Sequence, residues 1–149
     1  MLLEGKFTLK AHIQELWDFL LKPETLAACV PGCEKWELID AKTFESIVTA
    51  KVGFISVRFK FTTRLVEIDP PRHLKAVGKG EELSKHGSFS QETVVDLREV
   101  SGGNVEVSYK SVVSVVGKLA TFGDRIMRFK AKQLEKEFTQ ALKEKLSAR

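Results

Sequence analysis

The segment GKLATFGDRIMRFKAKQLEKEFTQALKEKLSAR, residues 117–149, constrains the fold more than any other part of the chain. Leu119, Phe122, Ile126, then Phe129 or Lys130, then Leu134, Phe138 and Ala141 or Leu142 recur every three to four residues, the spacing of one apolar helix face. At about 1.5 Å per residue, roughly 29 residues make a helix of about 43 Å. The full chain of 149 residues folded as one unit has a radius of gyration near ~15 Å and is about 40 Å across. Such a helix crosses the whole domain, and its stripe needs an apolar surface of the same length.

The middle of the chain supplies that surface. Between Trp36 and Val116 the sequence reads almost wholly as strand, with β-branched and aromatic runs such as TFESIVTAKVG and FISVRFKFTTRLVEI meeting near Gly53. In the second run Ile55, Val57, Phe59, Phe61 and Leu65 share one face, and Arg58, Lys60, Thr62 and Arg64 the other. Pro70-Pro71 and the SGGN segment at 101–104 are turns, and short turns make neighbouring strands antiparallel.

Ahead of this region, LEGKFTLK alternates with period two, a strand with one wet face. The period then changes: Ile13, Leu16, Trp17 and Leu20 lie on one helix face. Pro23 suits the first turn of a second short helix, which Pro31-Gly32 ends. The order β-α-α-β6-α predicts an α+β fold over residues 1–149 as a single domain, a curved antiparallel sheet of about seven strands wrapped around a long C-terminal helix.

With 43% hydrophobic residues, a chain of this length buries a core without disulfide staples. Glu4 and Lys6 interrupt the N-terminal apolar residues, so no signal peptide is expected, and no stretch reaches the roughly 20 apolar residues of a membrane span. With two cysteines, the chain reads as a soluble protein of a reducing compartment, the cytoplasm. The net charge of +4 is uneven: residues 118–149 hold nine Lys/Arg against four acids, so the rest is close to neutral. No aromatic-interleaved basic pattern points to nucleic acid.

Few residues invite chemistry. Cys29 and Cys33 flank Pro31-Gly32 at a spacing unlike a redox dithiol pair, and a zinc site needs two further ligands. His12, His73 and His86 form no paired motif, so the cysteines read as packing residues and no metal site is expected. VGKGEE and GKLATFG lack the spacings of nucleotide loops; their glycines suit turns or close packing. Gly123 is placed inside the last helix, where glycine costs about 1 kcal/mol relative to Ala. The acids Glu92, Asp96, Glu106 and Asp124 have no evident partner, no serine sits in a nucleophile elbow, and no catalytic residue is assigned. The thirteen aromatic residues fall mainly on inward faces. A curved sheet and a straight helix do not pack flush, and the gap between them is an apolar cavity suited to a small hydrophobic ligand. Val57, Phe59, Phe61, Phe89, Tyr109, Phe122, Ile126 and Phe129 are its expected lining, with Tyr109 the one hydrogen-bonding group.

The element order resembles the START/polyketide-cyclase (SRPBCC) superfamily with its helix-grip fold. Four stretches, WDFLLKPETLAACVPGCE, AKVGFISVRFK, EIDPPRHLKAVGKGE and VVGKLATFGDRI, resemble the CoxG family, the G-subunit proteins of carbon monoxide dehydrogenase. Pro31, Gly32, Cys33, Gly53, Gly117, Lys118, Ala120 and Gly123 fall on that pattern. The resemblance implies a hydrophobic cavity, no established catalytic residues, no intrinsic cofactor and an accessory role beside a molybdenum-containing CO dehydrogenase-like hydroxylase. In that role the chain binds a quinone or similar lipophilic molecule. The alternatives are a ligand-free maturation or membrane-recruitment factor and a cyclase- or hydratase-type enzyme using the same cavity. Peripheral contact with the inner face of the membrane through the basic last helix belongs to the same set of expectations.

Overall fold

The period-two start of the chain forms β1 (Leu2–Lys10), and the change to helical spacing forms α1 (Ile13–Leu21), which buries Leu16 and Trp17. Pro23 opens α2 (Pro23–Cys29), where its missing N–H would have had no intrahelical partner. The computed structural model describes residues 1–52, 54–84 and 87–147. Gly53 and His86, both singled out in the sequence, lie outside the described residues.

Six further strands follow: β2 (Cys33–Asp40), β3 (Thr43–Val52), β4 (Ile55–Asp69), β5 (His73–Glu82), β6 (Gly87–Val100) and β7 (Asn104–Gly117). They form one seven-stranded sheet in the order β1-β7-β6-β5-β4-β3-β2, with every neighbouring pair antiparallel. Helices α1 and α2 carry the chain from β1 at one edge to β2 at the other. Pairing registers line up one face across the strands: Phe61 opposite Gly80, Gly80 opposite Phe89, Phe89 opposite Val115. This is the face the last helix covers.

The last segment departs from the single helix expected. Lys118–Phe122 is a short 3-10 turn, and α3 runs from Gly123 to Ser147, 25 residues and about 37 Å. Gly117 (φ 82°, ψ −155°) and Gly123 (φ 79°, ψ 162°) bracket the turn in backbone conformations that essentially only glycine adopts. Gly123 is therefore a joint at the start of α3, and the interior-helix cost expected for it does not arise.

The joint also changes where the apolar stripe begins. Met127, Ala131, Leu134, Phe138, Ala141, Leu142 and Leu146 are half-buried or buried apolar positions of α3, whereas Ile126 is 44% and Phe129 74% exposed. Counting helical spacing from Phe122 runs through the break at Gly123, so the expectation fails at Ile126 and Phe129 and holds from Leu134 through Phe138 to Leu142. Leu142 and Leu146 then meet Leu9, Trp17, Leu97 and Val105 in a core at one end of the sheet. Each such side chain contributes about 1.5–3 kcal/mol by leaving water.

Candidate functional site: the space between sheet and helix

Among the described residues, buried apolar side chains gather in two separate clusters. One holds α1, the end of α3 and the sheet around Leu74, Leu97 and Val107. The other is Val57 and Phe59, packed with Ala50, Phe89, Val115, Phe122 and Met127. The helix touches both, and between them it passes over a band of the sheet that is neither fully buried nor purely apolar. Phe61, Thr63, Gln91, Thr93 and Val113 face this band and are half-buried, and Ser111 is 8% exposed. These side chains face the helix and keep part of their surface accessible.

Glycines shape the sheet surface around this band. A Cβ on Gly78 would stand 2.9 Å from Phe61 Cζ, and one on Gly5 would stand 2.8 Å from Tyr109 Cζ, well inside ordinary carbon–carbon contact. Gly80 meets the ring of Phe89 in the same way. With no side chain beneath them, the three rings lie against neighbouring backbone instead of standing up into the space. Phe89 joins Phe59 edge-on with centroids 5.1 Å apart and stacks on Phe61 at 5.2 Å. The close-packing role foreseen for the VGKGEE glycines is therefore a flattening of aromatic rings.

The polar groups of the band are connected. Gln91 Nε2 donates to Thr93 Oγ1 at 2.7 Å, and Thr93 Oγ1 lies 2.8 Å from Ser111 Oγ on the next strand. Two residues from Ser111 on β7, Tyr109 has its hydroxyl beside the carboxylate of Glu135 on α3. Burial first, and then that carboxylate, push the phenol well above its ordinary range, so Tyr109 stays protonated at physiological pH.

Of the residues expected to line the cavity, Val57, Phe59, Phe89 and Phe122 come together in the second cluster. Phe61 stacks against them, and Tyr109 lies farther along the same face, tilted against Phe7 at 6.4 Å. Ile126 and Phe129 do not join them; with Arg125, Arg128 and Lys132 they form a shallow surface depression of about 500 Å³ on the outward side of α3. Sequence reasoning missed Gln91, Thr93, Ser111 and Glu135, having read the inward faces as apolar. Their signal was period two itself, since Phe89, Gln91, Thr93, Val95 and Leu97 alternate onto one face.

The cysteine corner is structural in its contacts. Cys29 is 2% exposed within the first cluster, and Cys33 donates weakly to the Lys35 carbonyl at 3.6 Å. Burial raises both thiols above their ordinary range, away from the thiolate a nucleophile needs. Gly32 packs against the backbone of Thr49, whose N–H donates to the Gly32 carbonyl at 2.9 Å. On the sheet rim, His73 Nδ1 lies 2.7 Å from Asp96 and Nε2 lies 3.0 Å from Glu67, which raises the imidazole pKa, through Glu67 first and then Asp96. Among the described residues no group of three His, Cys, Asp or Glu is placed to hold a metal ion, and no helix is long and apolar enough to cross a membrane.

A seven-stranded antiparallel sheet curved around one long C-terminal helix, with two short helices between its first two strands, defines a START-like helix-grip protein. A conserved protein from Geobacillus kaustophilus has the same architecture at a TM-score of 0.92, with 25% identity over 99% of this chain and 96% of that one. A START superfamily protein from Mycobacterium smegmatis superposes at 0.75 with 10% identity over 99% and 97% of the two chains. A protein from Chromobacterium violaceum does so at 0.72 with 16% identity over 97% and 96%. None of the curated proteins matches this sequence. The pattern of the carbon monoxide dehydrogenase G-subunit family (CoxG) matches residues 5–147, and the chain belongs to that family.

Proposed function

We propose that this chain is a non-catalytic binding module that holds a small lipophilic molecule between its sheet and its last helix. The observation that carries this reading is the parted core: two apolar clusters with a half-buried band between them, floored by aromatic rings flattened over Gly5, Gly78 and Gly80. A domain that needed only stability would gain by closing that band with apolar side chains. A quinone fits the mixture of flat aromatic walls and a few hydrogen-bonding groups. Membership of CoxG, a family named for carbon monoxide dehydrogenase, supports a molybdenum-containing hydroxylase of that type as the partner.

The test is titration with a menaquinone analogue, followed by tryptophan fluorescence and by native mass spectrometry. A saturable one-to-one complex is expected. Absence of any complex with lipophilic probes would sink the reading.

A recruitment role, with no ligand, is favoured by a different observation. Ile126 and Phe129 are exposed beside Arg125, Arg128 and Lys132, an apolar spot ringed by cations that suits an anionic lipid surface or an acidic partner. A cyclase- or hydratase-type reading draws on the Tyr109–Glu135 pair. The raised phenol offers no phenolate base, so in that reading Tyr109 serves as a hydrogen-bond donor.

A further inference from the structure

We propose that Gln91, Thr93 and Ser111 form a polar seat that selects, among lipophilic molecules, those carrying a carbonyl-type acceptor oxygen. The inference rests on the reading of the sheet–helix space as a ligand cavity, and it names the ligand chemistry that space takes.

The protons of the seat can be counted. Gln91 Nε2 donates to Thr93 Oγ1, which uses one acceptor position of that hydroxyl. Thr93 and Ser111 share one further hydrogen bond at 2.8 Å, in which either oxygen is the donor. Two hydroxyl protons enter this pair and one is consumed between them. Neither hydroxyl has another hydrogen-bond partner among the described residues. Whichever way the pair is oriented, one O–H remains unused. With Gln91 already donating to Thr93, the orientation in which Thr93 donates onward to Ser111 leaves the free proton on Ser111, the more buried of the two.

No side chain directly opposite the pair across the neighbouring ladders supplies an acceptor. Tyr109, two residues along β7 on the same face, keeps its own proton and directs its hydroxyl toward Glu135. Ala76 opposes Thr93 across the β5–β6 ladder and Leu3 opposes Ser111 across β1–β7, and neither side chain holds an acceptor. A nearly buried, unused hydroxyl donor facing a partly open space is satisfied by water in the free protein and by a ligand acceptor in the complex. A ketone, quinone or ester oxygen meets that need. A hydrocarbon of the same shape displaces the water and leaves the donor unpaired, so the site discriminates against it.

The experiment compares fluorenone with fluorene, two rigid molecules of the same outline that differ by one carbonyl oxygen. Both are titrated into the whole protein and followed by calorimetry. Wild type is expected to bind fluorenone about fivefold to tenfold more tightly than fluorene, the ratio that one net hydrogen bond supplies. Ser111→Ala or Thr93→Val alone still leaves one unused O–H, whereas the double change removes both hydroxyls and is expected to bring the ratio to about one while fluorene affinity stays within about twofold. Equal binding of both probes by wild type overturns the polar seat and leaves the cavity reading intact. Binding of neither probe overturns the cavity reading, and the seat with it. Because the wild-type ratio alone decides the first point, a variant that fails to fold does not rescue the proposal.

Discussion

Tyr109 lies flat over Gly5, its register partner across the β7–β1 ladder, and the tyrosine hydroxyl reaches on to Glu135 of the last helix. One missing side chain on an edge strand thus sets the height of an aromatic ring and, through it, a polar tie between sheet and helix.

Gly5→Ala should lift that ring. The clash is with the ring of a side chain that is itself held at both ends, so relief is incomplete and a loss of about 1–3 kcal/mol is expected in chemical denaturation. In a Tyr109→Ala background the same change should cost much less, because the ring it strikes is gone. Equal costs in the two backgrounds would show that the tyrosine does not depend on the glycine.

The two ends of α3 should respond in opposite ways to truncation. Leu142 is 1% exposed in the main cluster, and Leu142→Ala should cost about 2–5 kcal/mol. Phe129→Ala removes a larger side chain that is mostly in water, and should change stability by no more than about 0.5 kcal/mol. Urea denaturation midpoints of the two variants check this. A large loss at Phe129 would put it in the core after all.

His73 should make stability depend on pH. Its folded pKa is raised above 6.5 by Glu67 and Asp96, so protonated His73 binds them best. That stabilisation is fully present below the unfolded value near 6.5 and is lost as pH rises through the folded pKa. Below about pH 5 the carboxylates themselves begin to protonate and the benefit fades again. The stability difference between wild type and His73→Gln should therefore be largest between about pH 5 and 6.5 and shrink toward pH 9. A difference that grows with pH would contradict the sign.

The cysteines should prove dispensable for binding. With both thiols raised by burial, their reaction with a thiol reagent at neutral pH should be slower than that of free cysteine, with Cys33 ahead of the 2% exposed Cys29. The double change Cys29→Ala and Cys33→Ala should leave probe affinity within about twofold, any loss appearing in stability through Cys29. Abolished binding in a folded double variant would return the thiols to the functional residues.

The element order was legible because each element is coded by local periodicity. Period two in LEGKFTLK, the i, i+3, i+4 face of Ile13–Leu20 and the long stripe up to Leu142 are patterns that neighbouring residues impose on one another. The resemblance carried by the Pro31–Cys33 and Gly117–Gly123 motifs pointed to the family that the match over residues 5–147 bears out. Only the first turns of α3 were not legible, since the backbone joint at Gly123 turns Met127 inward in place of Ile126, while Leu134, Phe138 and Leu142 hold the expected face.

What tertiary structure alone decided is the character of the site. Gln91, Thr93 and Ser111 are ordinary polar residues of two strands until the β6–β7 register places Thr93 opposite Ser111. Tyr109 finds Glu135 only when the helix lies across the sheet, and Gly5 matters only because Tyr109 is its partner on β7. Hydrophobic period is a property of one strand, readable along the chain. A hydrogen-bonded seat and a flattened ring depend on pairs far apart in sequence, and the distances between them exist only in the folded sheet.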